Sequence, residues 1–258
     1  DCYSTQLCNC VAPWSGHFCE CNTTGLFGGL SCGSAGTLWV SDGDLSVTSS
    51  DGPMVIIPDG YDLSIDGDAS ISTDLVASNG SSISIVGRFS LSSTLEIHAK
   101  LSEVRDSNGC HVVSDVHVSA ASLNLDAGSN VEILLDISAL STDGSCTAPS
   151  VMDPSMAVIE IGGGSAINYG ASFTATLVGG DNSTYSSLSF VTDLLASVDS
   201  GSSSGSVLNT NFISGSTTNC GSMSQSPGTV RISVGCTPPT SPPSPVVSGC
   251  SGPPPTTN

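Results

Sequence analysis

The chain has 258 residues, with 23 Asp and Glu against 4 Lys and Arg, which gives a formal net charge of -19. That balance argues against binding to nucleic acid or to an anionic membrane surface, because both need clustered Lys and Arg. Only 10% of the residues are charged and 38% are hydrophobic, which predicts a folded core rather than a disordered acidic tail.

The cysteine content indicates an oxidising compartment, where disulfides persist. Eleven Cys are present, and six of them fall between Cys2 and Cys32. The odd count means that one thiol is free, pairs between chains or has its partner outside this segment. No leader is visible before Asp1, so we expect a mature N-terminus or an excised fragment. The sequence has no apolar run of about 18 residues, so we expect no membrane span.

Residues 1–35 form a predicted cysteine-rich head. From Cys8 to Cys19 the spacing reads C-x-C-x5-G-x2-C, and a second, imperfect copy continues to Cys32. A segment this short cannot bury a sufficient core, so disulfides replace it. The spacing resembles the C-terminal half of an EGF-like module, of the tandem type found in integrin stalks and laminin-like rods.

This resemblance implies disulfides Cys10–Cys19 and, by analogy, Cys21–Cys32. The first cysteine pair of a full EGF-like module is missing, so the partners of Cys2 and Cys8 stay open, although we expect both in disulfides. EGF-like modules usually act as spacers or adhesion units, which implies a head without catalytic function.

Residues 36–236 form a predicted β domain, in which apolar residues alternate with Ser, Asp or Glu in short runs. This alternation is typical of half-buried strands, and turn dipeptides such as Asp59-Gly60 and Asn79-Gly80 separate the runs. Only residues 191–198 weakly suggest a short helix. The predicted strands are Leu45–Val47, Met54–Ile57, Leu63–Ile65, Ile71–Ser72, Ile83–Val86, Phe89–Leu91, Leu95–Ile97, Val116–Val118, Leu123–Leu125, Val131–Ile133, Val158–Ile161, Phe173–Leu177 and Val230–Val234.

Two all-β architectures fit this pattern: a right-handed parallel β-helix and an antiparallel β-sandwich. We favour the β-helix because the strands are short and numerous, and because aromatic residues make up only 5% of the chain, too few to fill a wide sandwich core. In such a stack the ends need caps, and the cysteine-rich head could cap one of them. Proximity in sequence suggests that Cys110–Cys146 and Cys220–Cys236 staple loops.

Residues 237–258 form a predicted tail rich in Pro, Ser and Thr. Proline-rich sequence favours an extended polyproline II rod, and interleaved hydroxyl residues are typical of an O-glycosylated stalk; a plain flexible linker is the alternative. Cys250 would stay unpaired or tether the tail to the body or to another chain. The candidate O-glycosylation sites are Thr240, Ser241, Ser244, Thr256 and Thr257.

Three N-glycosylation sequons support secretion. They begin at Asn22, Asn79 and Asn182, and each predicts a surface segment that carries glycan. The alternative is that they are ordinary surface turns in a chain rich in Ser and Thr.

No coherent catalytic set is visible, and we predict that the chain is not an enzyme. The serious rival is a polysaccharide-cleaving β-helix enzyme, which needs clustered carboxylates or a basic residue beside calcium. A net charge of -19 would repel a polyanionic substrate. The basic residues available are Arg88, Lys100, Arg105 and Arg231.

Cofactor sites are weakly indicated, and we expect none. The Asp42-Gly43-Asp44 and Asp66-Gly67-Asp68 turns offer oxygen ligands for calcium, but Asp and Gly also suit plain turns. His111 and His117 flank a predicted strand with the same parity, which allows a zinc pair on one face; a polar surface stripe is the simpler interpretation.

The sequence therefore predicts a secreted structural glycoprotein of the cell surface, a subunit of a filament or coat. Its partners would be itself or related subunits, and it would carry covalently attached glycans. The combination of an EGF-like head, a β domain rich in Ser and Gly, and a proline-rich tail resembles extracellular filament proteins such as the mastigoneme (flagellar hair) subunits of protists. The alternatives are an adhesion or glycan-binding module and the polysaccharide-cleaving enzyme.

Overall fold

A computed structural model describes the parts of the chain that form the main sheets. It covers residues 38–107, 109–141, 157–162, 171–180, 188–197, 221–226 and 228–235 in full, and the backbone alone of residues 2–3, 7–8, 14–15, 21–22, 31–32, 167–169, 203–204 and 210–213. All regular structure in these ranges is β-strand, and no helix occurs among them. The prediction of an all-β protein is confirmed.

Most of the strands are short, as the alternating pattern predicted, but four of them have 9 to 13 residues. The strands are β1 (Cys2–Tyr3), β2 (Leu7–Cys8), β3 (Trp14–Ser15), β4 (Cys21–Asn22), β5 (Ser31–Cys32), β6 (Leu38–Ser41), β7 (Leu45–Val47), β8 (Met54–Ile57), β9 (Asp62–Ile65), β10 (Ala69–Ile71), β11 (Asp74–Ala77), β12 (Ser82–Leu91), β13 (Thr94–Asp106), β14 (Gly109–Ser114), β15 (His117–Leu125), β16 (Asn130–Asp136), β17 (Ile159–Ile161), β18 (Ile167–Tyr169), β19 (Ser172–Val178), β20 (Ser189–Ser197), β21 (Ser203–Ser204), β22 (Thr210–Ile213), β23 (Gly221–Ser226) and β24 (Thr229–Gly235).

Two large sheets with parallel strands contain most of the described residues. In the seven-stranded sheet the order is β22-β19-β16-β13-β11-β8, with β14 paired to β13. In the thirteen-stranded sheet the main path is β23-β24-β20-β17-β15-β12-β9-β6-β5, and β7, β10, β18 and β21 form a second parallel row through β12 and β15. The pairs β1–β2 and β3–β4 form two small antiparallel sheets.

The parallel pairing is in register over long distances in the sequence. In the seven-stranded sheet, Val55 is opposite Leu75, and Leu75 is opposite Leu95. The same row continues through Val131 to Phe173. An antiparallel sandwich is therefore the wrong alternative for these sheets, because most of their ladders are parallel, and the antiparallel pairs are β5–β6, β13–β14, β20–β24 and β23–β24.

One continuous apolar core lies behind both sheets. Alternate residues along each strand are buried, which gives patterns such as buried-exposed-buried in β7 and β10. Ile, Leu and Val stack on the same residue types in the next strand, so few aromatic rings are needed to fill the core. Trp39, Phe89 and Phe173 are the largest fully buried side chains in the described ranges.

Turns at one corner of the stack depend on glycine. Gly60 and Gly80 have φ values of 70 and 68°, which other residues adopt only at a cost. The two turns lie directly against each other, because Gly60 N donates a hydrogen bond to Asn79 O at 3.0 Å. The Asp-Gly and Asn-Gly dipeptides thus mark stacked turns.

The weak helix prediction at 191–198 is wrong, because residues 191–197 lie in β20, and residue 198 lies outside the described residues. The strand pairs antiparallel with β24, and its register shifts between Asp193 and Leu195. This bulge changes the parity of the buried positions, so that Thr192 through Ala196 are all buried. The run of consecutive buried residues hides the strand alternation and resembles a buried helix in the sequence.

Candidate functional site

The outer face of the seven-stranded sheet carries a pair of glutamates. Glu96 of β13 and Glu132 of β16 are register partners in parallel strands, and such strands lie about 4.8 Å apart. His98 Nε2 lies 2.6 Å from Glu96 Oε1, and both side chains are partly exposed. Two carboxylates and an imidazole, groups that can exchange protons, therefore share one open face.

Sequence reasoning missed this cluster, although a signal exists. The phrases Leu95-Glu96-Ile97 and Val131-Glu132-Ile133 share one pattern and stack directly on each other. The similar phrase Ile159-Glu160-Ile161 lies in the other sheet. The pattern alone thus identifies outward glutamates, but it cannot tell which of them are neighbours.

The two histidines singled out in the sequence do not form a pair on one strand. His111 lies in β14 with Nε2 3.1 Å from Asp106 Oδ1, whereas His117 lies in β15 with Nε2 3.5 Å from Glu160 Oε2. The two strands belong to different sheets, because β14 pairs with β13 in the seven-stranded sheet and β15 lies in the thirteen-stranded sheet. The interpretation of one shared face is therefore wrong.

The Asp-Gly-Asp turns stack at another corner, where their carboxylates hold the next strand. Asp44 Oδ1 accepts a hydrogen bond from Asp68 N at 2.8 Å, and Asp68 Oδ1 accepts one from Arg88 N at 2.7 Å. In the described ranges, no three His, Cys, Asp or Glu residues are arranged to hold a metal ion. These carboxylates thus act as acceptors for backbone N–H groups.

Asp74 acts in the same way on the seven-stranded sheet. Its Oδ1 accepts hydrogen bonds from Ser93 Oγ and Thr94 N at 2.5 and 3.2 Å. These bonds favour the charged form and hold the pKa of the Asp74 carboxyl below its usual value. Asp44, Asp68 and Asp74 therefore each hold a backbone N–H group of a residue at least 20 positions later in the chain.

The described ranges contain one complete N-glycosylation sequon. Asn79 is exposed in the stacked turn before Gly80, while Ser81 is buried and its Oγ has no hydrogen-bond partner. Asn22 lies in β4 with its backbone opposite Trp14. Asn182 and the five candidate O-glycosylation sites of the tail lie outside the described residues. Glycan attachment stays a prediction at all of them.

Cys110 is disulfide-bonded. Its predicted partner Cys146 lies outside the described residues, so that pairing stays a prediction. Cys2 and Cys8 are backbone partners in the β1–β2 pair, and paired residues of antiparallel strands have Cα atoms close enough for a disulfide. The structure describes only the backbone of Cys21 and Cys32. The remaining cysteines outside the described residues are Cys10, Cys19, Cys220, Cys236 and Cys250.

Among the described residues, no helix has the length and apolar character needed to cross a membrane. Comparisons of the chain with protein-family models, with curated proteins and with solved structures found no match. The resemblance of the head to EGF-like modules therefore stays a prediction from the cysteine spacing.

Proposed function

We propose that the two large sheets are the walls of a right-handed parallel β-helix. The chain runs through β9, β10 and β11 in turn, and each then pairs in parallel with β12 or β13. After one circuit the chain therefore returns to the position beside the strand it left. Connections between parallel neighbours of one sheet are right-handed in nearly all proteins, which supports the right-handed form.

The function proposed for this β-helix is structural. The chain would be an extracellular glycoprotein that assembles into a filament or a surface coat. The observation that carries the proposal is the in-register parallel ladder from β8 to β22. Because all its strands run in the same direction, the two end strands expose edges that differ from each other. Edges of this kind are templates for head-to-tail contact, and contacts that do not close produce filaments.

The surface chemistry of the thirteen-stranded sheet supports this role. Its outward positions form rows of small hydroxyl residues, as in the row from Ser46 through Ser70 to Ser90 and the row from Ser64 through Ser84 to Ser119. Small side chains allow neighbouring subunits to approach closely, and hydroxyls keep the sheet face compatible with water. The rows thus suit lateral contact in a coat.

Purified chain is expected to form elongated assemblies with a regular axial repeat under the electron microscope. Because each subunit carries a charge of -19, assembly measured by sedimentation velocity should increase as salt screens repulsion between about 0.01 and 0.15 M.

Reduction of disulfides should loosen the assemblies, since each bridge in a small unit contributes about 2–5 kcal/mol. A chain that stays monomeric at every concentration and salt level would contradict the proposal.

A second candidate function is polysaccharide cleavage, which the Glu96–Glu132 pair favours. Their register places the two side chains next to each other on adjacent strands, and a pair of carboxyl groups carries out the chemistry in most glycoside hydrolases. If this candidate is correct, Glu96→Gln or Glu132→Gln abolishes the release of reducing ends from a neutral polysaccharide. Glu160→Gln is the matched control, because Glu160 also lies beside a histidine but in the other sheet. A wild-type chain that releases no reducing ends removes this candidate.

A further inference from the structure

The seven-stranded sheet ends in an apolar strand whose outer edge is open. β8 pairs with β11, and no other strand in the described ranges pairs with it. Val55 and Ile57 are buried in the core, whereas Met54 and Ile56 are 42% and 47% exposed. An apolar strand with an unpaired edge is the feature that most readily recruits another strand.

The backbone of β8 shows which groups lie at this edge. Ile57 O accepts a hydrogen bond from Ser78 N at 3.2 Å, so Ile57 faces β11. Successive residues of a strand in a parallel sheet point their N–H and C=O groups to opposite sides, because the backbone is pleated. The N–H and C=O of Ile56 therefore point to the open edge.

None of the usual devices that block an edge is present within β8. Sheets protect their edges with lysine, with inward charges, with bulges or with proline, yet residues 54–57 read Met-Val-Ile-Ile. Pro53 and Pro58 flank the strand and so limit additional pairing to these residues. The chain has a net charge of -19, so two copies repel each other over most of their surfaces. Because β8 carries no charge, it adds nothing to this repulsion.

The opposite end of the same sheet has a matching strand. β22 has four residues, as β8 does, and it pairs in parallel with β19. No strand in the described ranges forms a hydrogen-bonded ladder with its outer edge, although β23 lies beside β22. Residues 210–213 carry no charge. All the strands from β8 to β22 along this path have the same polarity, so β22 of one copy can continue the ladder onto β8 of another.

We propose that β8 is the docking site for β22 of a second copy of this chain. The proposal rests on the proposed filament or coat function and names its contact. The register of the ladder runs from Val55 through Phe173 to Thr210, so Thr210 of one copy lies opposite Val55 of the next. Ile56 N–H then donates to Thr210 O, and Phe212 N–H donates to Ile56 O. The two surfaces differ, so the contact repeats without closing.

Substitutions at Ile56 test this contact. Ile56→Pro removes the donating N–H, and Ile56→Lys keeps it but places a charge in the contact; neither changes a core side chain. Val86→Lys is the matched control, because Val86 is an exposed apolar residue of the other sheet, 63% exposed. We expect both Ile56 variants to raise the critical concentration for assembly at least about tenfold. Proline loses one interfacial hydrogen bond, and lysine places a charge in an apolar contact that must exclude water. Val86→Lys should leave it within about twofold.

Hydrogen exchange of the Ile56 amide provides a second measurement. This amide should exchange rapidly in dilute, monomeric protein and slowly in assembled protein. If it is protected at every dilution, another segment of the same chain covers β8, and the proposed docking is wrong. If the wild type assembles and both folded Ile56 variants assemble equally well, the docking is wrong although the filament function stands. A wild type that never assembles overturns both.

Discussion

Replacing Gly87 by alanine is expected to destabilise the protein by about 2 to 3 kcal/mol, the upper part of the usual cost of about 1–3 kcal/mol for forcing extra atoms into a filled site. Gly87 lies at the corner where β12 bends, directly over the preceding Asp-Gly-Asp turn. A Cβ atom built on Gly87 would overlap Asp68 Oδ1 and lie 2.7 Å from Gly67 O. The alanine would therefore displace the carboxylate that accepts the Arg88 N–H. Urea denaturation with a folded wild-type reference measures the loss.

Gly43 provides the matched control for this experiment. It occupies the equivalent place in the first turn of the same corner, but a Cβ built there meets no atom within 4 Å. Gly43→Ala should thus be neutral, or stabilising by up to about 1 kcal/mol through the lower entropy of the unfolded chain. Equal effects at Gly43 and Gly87 would show that the corner does not stack as tightly as the structure describes.

Replacing Arg231 by methionine is expected to cost about 3 kcal/mol of stability. Asp193 of β20 is nearly buried, with 5% of its side chain exposed, and Arg231 of β24 contacts both of its oxygens at 2.6 and 3.1 Å. Removing the arginine leaves a buried carboxylate without its counter-charge, which typically costs about 3–5 kcal/mol. The lower end applies because Arg231 is 41% exposed, so water can reach the site. Thermal unfolding measures the change in the free energy of unfolding, which is calculated from the shift in Tm and the unfolding enthalpy.

Two further variants distinguish two causes of the stability loss in Arg231→Met: the unpaired Asp193 charge and the lost packing of the arginine side chain. Arg88→Met removes an exposed arginine of the same sheet and should change stability by no more than about 0.5 kcal/mol. The double variant Asp193→Leu with Arg231→Met should recover most of the loss, because an apolar pair can replace a buried ion pair. If the double variant is as unstable as Arg231→Met alone, the unpaired Asp193 charge is not the cause.

Strand positions could be predicted well from the sequence, with exceptions that have clear physical causes. Each predicted run overlaps a described strand, although some runs extend one residue beyond it and two pairs of runs merge into the single strands β12 and β15. The strand β11 was missed because its outward Val76 is apolar, so the run Leu75-Val76-Ala77 lacks alternation. The bulge in β20 had the same effect. Alternation is a weaker signal where an outward position is apolar or a bulge shifts the parity.

The pairing of the strands could not be predicted in detail because the length of the circuit varies. Hydrogen bonds between neighbouring strands join residues 24 apart for Asp44 and Asp68, 20 apart for Asp68 and Arg88, and 36 apart for Ile83 and Ser119. The β13–β14 hairpin lengthens the last of these circuits. Without a constant period, the sequence shows no repeat, and the Glu96–Glu132 pair stays hidden.

The sequence by itself determined that this chain is an all-β protein with short, half-buried strands separated by Asp-Gly and Asn-Gly turns, because alternation and turn preference are local properties of neighbouring residues. Only the tertiary structure decided that the strands stack in parallel, that Asp44, Asp68 and Asp74 hold backbone N–H groups of later strands, and that β8 and β22 form the ends of one ladder. These features depend on contacts between residues 20 or more positions apart, and no local pattern specifies which of many similar strands becomes the neighbour.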